Sequence, residues 1–117
     1  MNVGDYIRID GYISKIGHIK TSSSGKAYAQ WKQPNGLLAS ANIKLIEKSS
    51  PQIIDLIEEN DYIRIITDTD FRRVYNSYGK LVIYRGKELP IETFSNKFIG
   101  GIITHEQMEA MQYRVEE

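Results

Sequence analysis

Asp5-Tyr6-Ile7-Arg8-Ile9 and Asp61-Tyr62-Ile63-Arg64-Ile65 are the same five residues, 56 positions apart. In each copy Ile alternates with Tyr and Arg, the period-two pattern of a half-buried strand. One copy opens the chain and the other opens its second half, which points to a duplication. After the first copy, Gly11 breaks the strand. Tyr12 to Lys20 then carries Ile13, Ile16 and Ile19 at a spacing of three, with Gly17 interrupting. Two flanking glycines in so short a run favour a strand with a bulge or bend at Ser14–Gly17 over a helix. Thr21 to Gly25 reads as a turn and hairpin tip. Lys26 to Gln33 reads as a strand with Ala27, Ala29 and Trp31 on the core face. Pro34-Asn35-Gly36 is a hairpin signal, and Leu37 to Ile46 reads as strand again.

The pattern then changes. Ser50-Pro51 has the form of an N-cap with proline at the first helical position. Ile53, Ile54, Leu56 and Ile57 follow at helical spacing, which predicts a short helix over 50–58 packed on the sheet. In the second half, 71–75 and 80–85 form a hairpin across Asn76-Ser77-Tyr78-Gly79, and Lys97 to Ile103 is strand-like. Thr104-His105-Glu106-Gln107 is a capping box. It predicts a helix over 104–112 that turns Met108, Ala110 and Met111 inward. The expected fold is therefore mainly β (α+β): two tandem small SH3-like barrel or sheet units, each closed by a short capped helix. Residues 1–58 make the first unit and 59–117 the second, forming one compact domain.

Composition narrows the function. There are 117 residues, 15 basic and 15 acidic side chains, two His and no Cys. A zero net charge excludes a polycation that grips nucleic acid by charge alone. Without Cys there is no disulfide framework, thiolate metal site or Cys nucleophile. The longest apolar runs fall far short of the ~20 residues of a membrane helix. The N-terminus lacks the basic and apolar regions of a signal peptide. The expectation is a cytoplasmic protein with no membrane partner. No nucleophile, base and orienting group assemble into a catalytic set, so the chain reads as a non-enzyme without cofactor or metal. His18 reads as an ordinary strand residue and His105 as a plain exposed one. Asp68 and Asp70 read as turn caps.

Charge is unevenly spread. Residues 61–87 hold six basic side chains against three acidic ones, and 1–48 hold seven against three. In the second half Tyr75, Tyr78 and Tyr84 interleave with Arg72, Arg73 and Arg85. Tyrosine with arginine suits a protein-binding hot spot or stacking on nucleic-acid bases. These six residues are the candidate partner-binding set, with Arg73, Tyr75, Tyr84 and Arg85 foremost.

Two resemblances add to this. Val3-Gly4-Asp5-Tyr6-Ile7-Arg8-Ile9-Asp10-Gly11 resembles the opening strand of SH3-like and KOW-type barrels. The KOW pattern expects Lys-Gly after the strand; here Tyr12-Ile13 follows Gly11, so nucleic-acid binding is not carried over. A more specific resemblance is dispersed along the whole chain. It rests on Gly4-Asp5-Tyr6-Ile7, Lys48 to Glu58, Asp61-Tyr62-Ile63, Ile103 to Met108 and Tyr113-Arg114-Val115-Glu116. In these the chain is similar to small phage and prophage proteins of Firmicutes, departing at Asn60-Asp61, where those proteins often have Gly-Asp. The resemblance departs further over 66–96 and implies origin and architecture rather than a chemistry. With the small size, the duplicated units and the Tyr/Arg-rich hairpin, that origin gives the expectation of a phage-encoded binding protein in a bacterial host cell, directed at a host protein or protein–nucleic-acid complex. An inhibitor of bacterial defence, of anti-CRISPR type, fits that origin. The alternatives are a nucleic-acid-binding accessory or regulatory protein of a phage, and a protein that sequesters a small nucleotide signal at the junction of its two units. Exposed strand edges leave room for a homodimer.

Overall fold

The computed structural model describes residues 1–46 and 48–115, with side chains to residue 111. The fold is mainly β. Strand β1 (Tyr6–Ile9) pairs antiparallel with β2 (Tyr12–Thr21), β2 with β3 (Ala27–Lys32), and β3 with β4 (Leu38–Asn42). A 3-10 turn at Ile43–Leu45 follows, and β5 (Lys48–Ser50) returns to the other edge of β1. The first sheet thus has the order β4-β3-β2-β1-β5. Gly17 marks a register shift in β2 between Ile16 and His18, the bulge that the glycine spacing predicts.

The second half runs through the same course. Strand β6 (Tyr62–Ile65) pairs with β7 (Arg72–Arg73), and β8 (Tyr75–Ser77) pairs with β9 (Lys80–Tyr84). Next come β10 (Glu88–Pro90), 3-10 turns at Ile91–Thr93 and Asn96–Phe98, and β11 (Ile99–Ile103), which returns to β6. Val74 breaks the strand between β7 and β8, so this half splits into two three-stranded sheets. Helix α1 (His105–Val115) follows. No closed barrel forms among the described residues.

Backbone bonding at the two strand openings is the same in both halves. Gly4 N donates to Ile16 O at 2.9 Å and Asn60 N to Val74 O at 2.8 Å. Ile16 N donates to Asp5 O and Val74 N to Asp61 O, at 2.8 and 2.7 Å. The carboxylates match too: Asn2 N donates to Asp5 Oδ2 and Glu58 N to Asp61 Oδ2. Both Gly4 and Asn60 have positive φ, 93° and 74°. Asparagine is among the few other residues that tolerate this region, so Asn60 serves in the place that Gly4 takes in the first copy.

Each half has its own core. Ile7, Ile16, Ala29, Trp31 and Ile46 form the first. Trp31 is 3% exposed, with its indole N–H donated to Tyr12 OH at 2.8 Å. Ile57, Ile63, Ile65, Val74, Ile83 and Ile91 form the second.

The helices correct the sequence reading. Residues 50–58 are not an α-helix. Ser50 ends β5, held opposite Tyr6, and only Ile53–Leu56 turn as 3-10. The Ser50 hydroxyl accepts from Gln52 N and donates to Asp55, bracing a turn rather than capping a helix. Ile54 and Ile57 pack into the second core, so this segment does not close the first unit. At the other helix the capping box is present: Gln107 N donates to Thr104 Oγ1 and Thr104 N to Gln107 Oε1. The Thr104 hydroxyl also donates to Gly11 O, in the first unit. Met108 is half-buried, but Ala110 and Met111 are exposed. The helix is tied down at its first turn, so its later apolar residues are left beside a groove floored by Ile102 and Ile103.

Candidate functional site

The second-unit hairpin brings together four of the six candidate residues. Arg72, Arg73, Tyr75 and Tyr84 line a shallow cleft of about 330 Å³. Tyr75 stands opposite Val82 across the β8–β9 pair and shares its face, away from Leu81 and Ile83, which turn to the second core; Val82 is buried and Tyr75 half-buried beside it. The Arg73 guanidinium lies 5.8 Å from the centre of the Tyr75 ring and donates to Asn60 Oδ1. Tyr75 donates its hydroxyl to Glu88 at 2.9 Å. Burial and that carboxylate push the phenol pKa up.

Arg85 and Arg72 are joined by Asp68. Arg72 Nε reaches one Asp68 oxygen at 3.1 Å and Arg85 Nη2 the other at 3.0 Å. Burial would raise the Asp68 pKa, but its bonds from Arg72 and Arg85 outweigh this and hold it low. Asp68 is therefore not the turn cap expected of it. It pairs with two of the three arginines and leaves Arg73 without a carboxylate partner among the described residues. Arg72 also donates to Tyr84 O, which ties β7 to the end of β9.

Tyr78 stands apart from this cleft, at the hairpin tip. It is fully exposed and has φ of 53°, followed by Gly79 at 83°. Two successive positive φ values make a type I′ turn, which favours Asn-Gly. A tyrosine in that first position is strained.

A second cluster was not foreseen. Arg8, whose strand pattern gives it an outward place, has a side chain only 6% exposed. Its guanidinium donates to Asp61 at 2.6 and 3.0 Å, to Glu106 at 2.9 Å and to Leu56 O at 3.0 Å, with Glu58 3.3 Å from Nε. Burial opposes the charge, but the bonds to Asp61 and Glu106 more than offset it and raise the pKa. Asp61 is fully buried and also accepts from Glu58 N and His105 N. His105 is no plain surface residue: Nε2 lies 3.1 Å from Glu58 and 2.5 Å from Glu106. Its pKa is raised by Glu58 foremost, against some desolvation, with Glu106 and Asp61 adding. Lys48 bonds Glu58 at 2.5 Å, and with His105 and Arg8 it draws the Glu58 pKa down to about 2.

Glu58, His105 and Glu106 present ligand-type atoms within 4.8 Å of one another. Their carboxylates are already engaged by Lys48 and Arg8, which a dication would have to displace, so the geometry is that of an ion-pair network. The network joins β1 and β5 of the first unit to the linker, the β6 entry and α1. Its sequence signal was the repeated Asp and Arg themselves, whose partners lie 53 and 98 residues from Arg8.

His18 is exposed on β2. No described helix is long and apolar enough to cross a membrane. Compared with known proteins, the chain matches no family model, no curated sequence and no solved structure.

Proposed function

We propose that this chain is a non-catalytic binding protein that grips a protein partner through the outer face of the β8–β9 hairpin. The carrying observation is the Arg73–Tyr75–Tyr84 cleft, with the strained Tyr78 beyond it. Tyrosine and arginine supply rigid apolar area with a charged tip, the make-up of interface hot spots. Tyr78 strengthens the reading, because an exposed tyrosine held where Asn fits better has no folding role to explain it.

Charge favours protein over nucleic acid. Arg72, Arg73 and Arg85 face Asp68 and Glu88, which leaves about one uncompensated cation. One phosphate-type contact predicts under about a fourfold loss of affinity between 50 and 200 mM salt, whereas six to ten contacts predict a loss of about 10³–10⁵. The resemblance to small phage and prophage proteins supports a host protein in the bacterial cytoplasm as the target, a defence component of the kind an anti-CRISPR protein blocks among them. The repeated order of five strand segments, each with a mid-strand break and a 3-10 turn before the last, supports two tandem SH3-like units as the scaffold.

The test is capture of a partner from host lysate, with and without nuclease, by wild type and by Arg73→Ala/Tyr75→Ala. A nuclease-resistant partner is expected. The double mutant, with an unchanged melting temperature, is expected to lose about 2 kcal/mol, or about 30-fold in affinity. Undiminished capture by the double mutant overturns the assignment of this face.

A further inference from the structure

The duplication makes the molecule its own comparison. Arg8 and Arg64 hold the same place in the repeated pentapeptide, each on the strand face away from its core. Arg8 meets three carboxylates there. Arg64 is half-exposed and donates only to backbone, Asp68 O at 3.2 Å and Gly100 O at 2.7 Å. No carboxylate oxygen of the described residues lies within 4 Å of it. Its guanidinium rests against Gly100, where a Cβ would stand 2.9 Å from two of its nitrogens, so a residue with no side chain lets it lie there.

Gly100 and Gly101 form one wall of a cleft of about 300 Å³ between the two units. Tyr6 and Lys15, directly opposite each other across β1 and β2, form the facing wall, with Ile13 and Ile53 beside them. The Lys15 ammonium stands 5.7 Å from the centre of the Tyr6 ring and likewise has no carboxylate within 4 Å among the described residues. An aromatic ring, aliphatic neighbours and one uncompensated cation thus border a single cleft, and a second such cation, Arg64, lies behind its glycine wall. A cation resting on a ring is held by about 0.5–1 kcal/mol at an exposed site. A phosphate, offering charge-assisted hydrogen bonds, draws it away readily and frees the ring face for stacking.

We propose that this junction cleft binds a small planar anion of the mononucleotide class. The base lies on Tyr6 among the isoleucines, and the phosphate is drawn by Lys15 from one unit and Arg64, behind Gly100, from the other. The volume is at the lower end of the ~300–1,000 Å³ of small-molecule sites, which suits one nucleotide better than a dinucleotide. The site lies apart from the Arg73–Tyr75–Tyr84 cleft, so the two readings succeed or fail separately.

The experiment is isothermal titration of the whole chain with AMP, GMP, CMP and UMP, with adenosine and inorganic phosphate as half-ligands, and with a twelve-residue oligothymidylate. At least one mononucleotide is expected to bind, about tenfold or more tighter than either half-ligand, since each half lacks either the stacking or the charged bonds. Lys15→Ala, which removes an exposed side chain, and Arg64→Gln are each expected to weaken it about tenfold, while Arg73→Ala leaves it unchanged. Melting curves of the variants are run alongside. No binding of any mononucleotide at about 1 mM, affinity untouched by both Lys15→Ala and Arg64→Gln, or tighter binding of the oligonucleotide overturns the proposal.

Discussion

Asp5 and Asp61 are the same residue at the same point of the repeat, and their replacement by alanine separates burial from sequence. Asp61 is wholly buried and accepts four hydrogen bonds: two from Arg8, and one each from Glu58 N and His105 N. Breaking a buried ion pair costs about 3–5 kcal/mol. Arg8 keeps Glu106 and Glu58 after the change, which argues for the lower part of that range. The two backbone N–H groups left without an acceptor push the cost back up, at about 1–3 kcal/mol each if no water reaches them. The expected loss for Asp61→Ala is therefore about 4 kcal/mol, or a fall of about 15 °C in melting temperature for a chain of this length. Asp5 is half-exposed and holds only Asn2 N, so Asp5→Ala is expected to cost about 1 kcal/mol or less. Urea unfolding of both variants, followed by circular dichroism, gives the two free energies. A loss under about 1.5 kcal/mol for Asp61→Ala, or equal losses for the two, refutes the view that the network holds the units together.

Trp31→Ala is expected to cost about 3–5 kcal/mol, read by denaturant titration, because it empties the centre of the first core. Tyr12→Phe strands the indole N–H and is expected to cost about 1–2 kcal/mol in the same assay. Stability against pH should show two limbs. Glu58, lowered to about 2 in the fold, contributes stability above 4.5 that is lost as pH falls through 2. His105, raised in the fold, contributes fully below 6.5, and its contribution is lost as pH rises through its folded-state pKa. In melting curves across pH, His105→Gln should flatten the upper limb and shrink the lower one only in part, because Lys48 and Arg8 still hold the Glu58 pKa down. Tyr78→Asn should raise stability by about 0.5–1 kcal/mol by relieving the left-handed tyrosine, and should weaken partner binding if the tip makes contact.

What the sequence could and could not reveal follows from the range of each interaction. The repeated pentapeptide, the bulge at Gly17, the core place of Trp31 and the Thr104–Gln107 capping box depend on neighbours a few residues away, and the pattern exposes them. The segment at 50–58 deceived because Ser50-Pro51 fits a helix start, while the bond that decides its fate is β5 pairing with Tyr6, more than forty residues back. Arg8 on an outward strand face looks solvated; only the return of Asp61 and Glu106 buries it. In the candidate face, the pairing of Arg73 with Tyr75 was legible from strand alternation; the side taken by Tyr84 was not, because either face of Leu81 to Tyr84 could have been the core face. Nor was the bridging role of Asp68, because it needs the folded approach of Arg72 and Arg85.

The Arg8 network also sets a timetable for synthesis on the ribosome. The five strands of the first unit leave the exit tunnel well before Glu106 and the start of α1 are translated, at roughly 5–20 residues per second. During those seconds the first unit can close its own core around Trp31, but Arg8 has neither Asp61 nor Glu106 to receive it. The nascent chain therefore presents the Arg8 cation, without those two partners, on the open face of the first sheet, and that charge discourages association with neighbouring chains. When α1 emerges, the same arginine turns from a solubilising group into the fastening that unites the two halves.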